Sequence, residues 1–277
     1  ARIQHFINSG LVLVNYKTAK AKTPLKNGDN VQIWMPPPEP LIYLKPEKMD
    51  LKILFEDQHI IVINKQSGLI VHPAPGHKSG TLVNGLLFHC NDLPGINGKL
   101  RPGIVHRLDK DTSGCMVVAK SQEALVNLQK QIKEKIASRE YIAIIHGAPN
   151  SEEGQIVGHI GRDRLNRLKY KVVEEASGRY ACTYWKLKER LGNYSLMSFK
   201  LDTGRTHQIR VHCAHINHPI VGDPLYGRCK KLPCKLEGQA LHAIKLGLIH
   251  PISGKEMIFE AELPLDFQKL LKVLKVK

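Results

Sequence analysis

Residues 36–40 read Pro-Pro-Pro-Glu-Pro. Proline fixes φ and carries no backbone N–H, so neither a helix nor a central strand can run through this stretch, and it favours an extended, semi-rigid spacer. The chain is therefore expected to organise itself on either side. The reading is a small N-terminal module over 1–35, a Pro-rich linker over 36–50 and a large domain over 51–277.

In the large domain, Ile104 and Val105 lead into a polar run, and Cys115-Met116-Val117-Val118-Ala119 leads out. That pattern predicts a strand, a polar turn closed by Gly114, and a second, buried strand. Between them lie His106, Arg107, Leu108, Asp109, Lys110, Asp111, Thr112 and Ser113. A hairpin whose Asp109 and Asp111 cap the backbone is one explanation. A calcium loop is another, but the position needing a bidentate glutamate is Lys120. Charged residues held between apolar strands are also what a catalytic loop on a rigid scaffold looks like.

Other segments carry clear local signals. Ile53–Asp57 and Ile60–Lys65 predict two strands about a tight turn, and Thr81–His89 a short helix. Asn91–Pro102 reads as a Gly-rich loop. Ser121 is an N-cap candidate for a helix whose Ala124, Leu125, Leu128, Ile132 and Ile136 recur at helical spacing. Arg139–Gly147 is β-rich, 158–167 is a basic loop, and Ala181–Lys188 and Tyr194–Leu201 are strands. Thr206 is placed to cap a helix running to about Ile216, with Arg210 one turn in. Before the linker, Arg2–Gly10 reads as a short amphipathic helix ended by glycine, then a strand over 11–14, a basic connection with Lys17, Lys20, Lys22 and Lys26, and a strand over 31–34.

Composition narrows the partner. The formal charge of +16 favours a polyanion, because cations that neutralise phosphates release condensed counterions. No apolar run approaches the ~18 residues that cross a bilayer, and no signal peptide opens the chain, so nucleic acid is favoured over a membrane and a cytoplasmic location is expected. The six cysteines form no Cys-x-x-Cys pair and read as reduced thiols. The cluster His207, His212, Cys213, His215 and His218 lacks paired thiolate spacing, which speaks against a metal site.

His106-Arg107-Leu108-Asp109 followed by Asp111-Thr112-Ser113-Gly114 resembles the catalytic motif of the RluA-type pseudouridine synthases of ribosomal large-subunit RNA. The order of further segments extends the resemblance from Leu51 to the C-terminus: Gly68–Pro73 (with Gln66 at a usual proline), Tyr141 in its β-rich run, Leu201–His212, Pro219–Gly227, and Leu263–Phe267. Arg2, Gly10, Val14-Asn15 and Leu25–Asp29 resemble the S-four-type RNA-binding domain, with Tyr16 where glycine is usual and the first helix of that domain missing before Ala1, which implies a longer parent protein.

The resemblance implies an α+β fold: a mixed, mostly antiparallel central sheet flanked by helices and loops, plus the small N-terminal α/β module. It implies Asp109 as catalytic residue, Arg210 as its paired arginine and Tyr141 against the target base. Arg107 would fill the space of a flipped-out base. Arg205, Arg162, Arg164, Arg2 and Lys17 are RNA-contact candidates. Turning uridine into pseudouridine breaks the bond from the sugar to ring nitrogen one and remakes it to carbon five. Nothing is oxidised and nothing leaves, so neither cofactor nor metal is needed. One carboxylate must act as nucleophile or base, and a nearby arginine and helix N-terminus favour its charged form. Whether Asp109 attacks the sugar, attacks the ring or removes a ribose proton stays open. The expected substrate is structured RNA, 23S ribosomal RNA before transfer RNA, bound by a monomer; a non-catalytic RNA-binding factor is the alternative of another class.

Overall fold

The computed structural model describes residues 2–34, 44–73, 77–90, 93–94, 102–227, 232 and 234–276. Most of the 91–102 loop, the proline run and Cys229 fall outside them. The chain divides into two compact units, Ala1–Tyr43 and Leu44–Lys277.

In the first unit, helix α1 (Arg2–Asn8) precedes strands β1 (Val12–Val14), β2 (Lys17–Thr18) and β3 (Val31–Ile33), which pair antiparallel in the order β2-β1-β3. Asn15 and Tyr16 make the β1–β2 turn at φ 51° and 65°. Two left-handed residues give the turn the twist that a tight hairpin needs, which is why glycine is at home at position 16.

The second unit is built on a ten-stranded sheet. Its elements run β4 (Ile53–Glu56), β5 (Ile60–Lys65), α2 (Leu82–His89), β6 (Ser113–Ala119), α3 (Gln122–Lys133), β7 (Ser138–His146), β8 (Glu153–Arg162), β9 (Tyr170–Val173), β10 (Arg179–Leu191), β11 (Tyr194–Leu201), α4 (Gln208–His215), β12 (Leu241–Ile249), β13 (Glu256–Glu260) and α5 (Leu265–Lys275). The strand order is β4-β5-β6-β12-β7-β11-β10-β8-β9, with β13 added to β12. Among the described strands only β6 and β12 pair in parallel; every other pairing is antiparallel.

The middle of the sheet is covered on both faces, which explains the near-continuous apolar runs of β5 and β6. Ile61, Ile63, Met116 and Val118 join the core with Leu82 and Leu86 of α2, Ile209 of α4 and Phe267, Leu270 and Leu274 of α5. The alternate residues Ile60, Val62, Cys115 and Val117 pack with Ala124 and Leu128 of α3. Ser121 caps α3 by accepting from the Ala124 amide, and Thr81 caps α2 in a reciprocal box with Asn84. Among the described residues no helix is long and apolar enough to cross a membrane.

Several local expectations fail: the helix after Ser121 ends at Lys133, so Ile136 lies beyond it and is exposed. Ile104 and Val105 form no strand; Ile104 makes an isolated bridge to Val118, because the chain turns again at once. Gly114 does not close the turn but lies inside β6, at φ 115°, where an added Cβ would meet the Ala243 carbonyl oxygen at 2.2 Å. The glycine is there so that β12 can lie against β6. Gly158–Arg162 belong to β8, so the basic stretch is half strand and half hairpin turn rather than a loop.

Candidate active site

Asp109 sits on the turn that feeds β6, and the turn is held from several sides. The Thr112 amide donates to the Asp109 carbonyl at 3.1 Å. Lys65, at the end of β5 and 1% exposed, donates to the carbonyls of Gln66, Leu69 and Lys110 at 2.8, 2.8 and 2.9 Å. An ammonium carries three donors, and all are used. Burial pulls its pKa down to about 7, against the fields of Asp111 and Asp109. The Ser67 hydroxyl lies between the Glu237 carbonyl at 2.8 Å and the Asp111 carbonyl at 3.1 Å, and the Gln239 amide donates to the Thr112 hydroxyl. The His106 ring accepts from the Val117 amide through Nε2 at 3.1 Å, and burial pushes its pKa down to about 3, so the ring is neutral with its proton on Nδ1.

Arg210, on α4, reaches Asp109 through Nη1, 2.9 Å from Oδ2. The rest of its guanidinium is gripped by Asp223: Nε to Oδ2 at 2.7 Å and Nη2 to Oδ1 at 2.9 Å. Asp223 also accepts from the Leu225 and Tyr226 amides, and the Tyr226 ring lies under the guanidinium carbon at 5.2 Å. Burial alone would pull the arginine's pKa down, but the hydrogen bonds and charge of Asp223, with Asp109, hold it above the ordinary value. The outcome is a forked, charge-assisted clamp with one prong left for Asp109. The sequence reading gave Asp223 no role.

Thr206 does not cap α4. The residue before the helix is His207, at φ 56°, and it makes no side-chain cap. This left-handed residue redirects the chain between Thr206 and the first turn. Gln208 serves the approach instead, accepting from the Arg205 amide at 2.9 Å and the Thr203 hydroxyl at 2.7 Å. The Tyr170 amide donates to the Tyr226 hydroxyl at 2.8 Å, and that hydroxyl shares a hydrogen bond with His207 Nδ1 at 2.9 Å. His207 Nε2 lies 4.0 Å from Asp109 Oδ1. Burial lowers the ring's pKa, with Asp109 opposing.

Asp109, His207 and Arg210 line a cleft of about 520 Å³ together with Arg107, Tyr141 and Arg205. Tyr141, on β7, is buried; its pKa is pushed up to about 12 by that burial, and its hydroxyl has no hydrogen-bond partner among the described residues. Arg107 stands exposed at the rim, Nη1 3.2 Å from His72 Nε2. Arg205 donates through Nε to the Tyr180 carbonyl at 2.8 Å. Arg162 and Arg164 do not line the cleft; they lie on the β8–β9 hairpin, where Arg162 covers the Tyr170 ring at 5.4 Å and Arg164 is exposed. Lys17 is exposed on β2 of the first unit, and the side chain of Arg2 lies outside the described ones. Among the described residues no group of His, Cys, Asp and Glu is arranged to hold a metal ion.

Residues 59–215 match the family model described as RNA pseudouridylate synthase. An uncharacterized RNA pseudouridine synthase of Synechocystis sp. is 49% identical, over 99% of this chain and 84% of its own length. The ribosomal large subunit pseudouridine synthase D of Zymomonas mobilis is 44% identical, over 99% of this chain and 89% of its own. Among solved structures, the human RNA pseudouridylate synthase domain containing 4 superposes with a TM-score of 0.63 at 25% identity, covering 81% of this chain and 93% of that one. With the sheet, the clamp and the motifs in place, the chain belongs to the RNA pseudouridylate synthase family and is a pseudouridine synthase of the RluA type, an isomerase that converts uridine in RNA to pseudouridine.

Proposed function

We propose that the chain isomerises specific uridines of large-subunit ribosomal RNA, the 23S molecule, with Asp109 as the reacting carboxylate. The observation that carries this is the clamp: Arg210 spends two of its three nitrogens on Asp223 and one on Asp109 Oδ2. Oδ1 is left facing the cleft beside His207. A group fixed this way loses little freedom on reaction, which is where much of the advantage of a positioned carboxylate comes from. The relatives named for the large ribosomal subunit favour that RNA as substrate.

The target base must leave its stack to reach Asp109, at a cost of a few kcal/mol. Arg107 at the rim fills the space it leaves by laying its flat guanidinium on neighbouring bases. Tyr141 holds the flipped uracil, its hydroxyl free to serve the proton transfer at carbon five. Arg162, Arg164 and Arg205 meet backbone phosphates. Arg2 and Lys17 do so from the N-terminal module, read as an S-four-type domain, and the enzyme acts as a cytoplasmic monomer.

The test is to incubate wild type and Asp109→Asn with unmodified ribosomal RNA and, separately, unmodified transfer RNA, and to map the pseudouridines formed. The expected result is sites in ribosomal RNA from wild type alone, with RNA binding kept by the variant. Sites in transfer RNA only would move the substrate. Undiminished turnover by Asp109→Asn would overturn the role of the carboxylate.

A further inference from the structure

Among the described residues, Arg139 and Arg210 are the two buried arginines, at 8% and 4% exposure, and their surroundings are opposite. Arg210 is fully paired. Arg139 makes no hydrogen bond and no ion pair with any described residue, and its Nε is wholly buried without a partner. Only Nε is wholly buried; Nη1 and Nη2 are not among the buried atoms, and the residue lines the cleft, so a half-desolvated guanidinium without an anion is placed where a ligand can supply the missing charge.

Its surroundings say which ligand. Arg139 is two residues before Tyr141 on β7, so both side chains leave the same face of the sheet. Arg139 lines the same cleft as Ile104, Ile132, Lys133, Asp202 and Gly204, with Gly204 directly beside its guanidinium. The acid of that group is already committed, because Asp202 is held by Lys135 at 2.7 Å. Gly204 leaves the room: a Cβ there would fall 2.9 Å from Arg139 Nη1. The result is a buried cation on a cleft that also carries Lys133 and the apolar side chains of Ile104 and Ile132. A neutral carbonyl would leave the charge uncompensated, whereas a phosphate matches the fork of a guanidinium and brings the charge.

We propose that Arg139 is the anchor of a phosphate subsite that receives a phosphodiester of the RNA strand beside the nucleotide entering at Asp109. The subsite rests on the reading of the cleft as the uridine site. Ile104 and Ile132 face the adjoining ribose, and Gly204 gives the guanidinium room, since a Cβ there would crowd Nη1.

The experiment uses Arg139→Met, which keeps length and removes charge, with Arg139→Lys as the conservative partner. Affinity for unmodified ribosomal RNA is measured against salt concentration, alongside thermal melting of the protein alone. For Arg139→Met the expected results are a dissociation constant raised about tenfold, a slope of log affinity against log salt reduced by about one, and kcat/KM lowered in step with affinity. Arg139→Lys should recover most of the slope. The free protein should melt about 2–4 °C higher, because an uncompensated charge has been removed from its interior. A lower melting temperature with an unchanged slope would make Arg139 a structural residue. Unchanged affinity with a tenfold slower rate at saturating RNA would place it on the reacting base. Stabilisation of wild type by inorganic phosphate at constant ionic strength, with no change of RNA slope in the variant, would assign the site to a free anion. Each of these three overturns the proposal. The binding slope is read without turnover, so a wild type that forms no pseudouridine would defeat the uridine reading while leaving the subsite to stand or fall by its own slope.

Discussion

Replacing Asp223 by asparagine removes one charge and leaves the size of the side chain nearly unchanged, so it isolates what that charge does. The Asp223 carboxylate has 0% side-chain exposure and accepts four hydrogen bonds, two from Arg210 and two from the Leu225 and Tyr226 amides. An asparagine keeps one accepting oxygen and sets an NH2 group against an N–H of Arg210, donor against donor. Breaking one partner of a buried ion pair costs about 3–5 kcal/mol. For a domain of this size each kcal/mol moves the melting point by about 2–4 °C, so a drop of roughly 6–20 °C is expected. The chemistry should suffer separately, because Arg210 would turn away from Asp109; a shift of about an ångström in a positioning group costs on the order of a hundredfold. Calorimetry gives the first number, and tritium released from carbon five of labelled uridine under single-turnover conditions gives the second. A variant that melts within about 2 °C of wild type and turns over normally would refute the view of Asp223 as the anchor of the clamp.

Two further outcomes follow from burial. Gly114→Ala should cost about 3 kcal/mol or more, since its Cβ would lie 2.2 Å from backbone in the centre of the sheet at φ 115°, whereas Gly254→Ala, at φ 69° with nothing within 4 Å, should cost only about 1 kcal/mol; equal losses in urea titrations would refute the role given to the β6–β12 approach. His212 is wholly buried, with Nδ1 2.9 Å from the Thr183 hydroxyl, and burial first, then His215, push its pKa from 6.5 down to about 4. Between those values the unfolded chain binds the proton and the folded one does not, so His212's contribution is complete above about pH 6.5 and falls by about 1.4 kcal/mol per unit towards pH 4. Stability measured from pH 7.5 to 4.5 should lose about one proton's worth of slope in His212→Gln, and an unaltered slope would count against a neutral buried ring.

The legible parts of this molecule were those with local causes. The apolar runs of β5 and β6, the caps at Thr81 and Ser121 and the strand around Tyr141 each carry their signal within a few residues. The meeting of Asp109 with Arg210 was legible only through the resemblance, since nothing in spacing brings them together. Asp223 went unread because it has an adequate local explanation: an aspartate before proline that accepts from the next two amides is an ordinary turn former. That its other side faces a guanidinium is a property of packing. Thr206 was misread for the converse reason, as a good capping residue displaced by an αL residue at position 207 that no propensity requires. The β6–β12 parallel pair joins Ser113 to His242, and Arg139 betrays itself only by partners it lacks.

The bond between Asp109 and Arg210 joins residues 101 positions apart, and Asp223 lies 13 further on from the arginine. During synthesis the aspartate therefore emerges long before the groups that orient it exist. Contacts between residues so far apart close late, because the loop between them must be ordered first. Strand β6, helix α3 and strands β7 to β11 make up that loop, and they carry Tyr141 with them. Nascent chains short of Asp223 thus lack the anchor that holds Arg210 on the carboxylate.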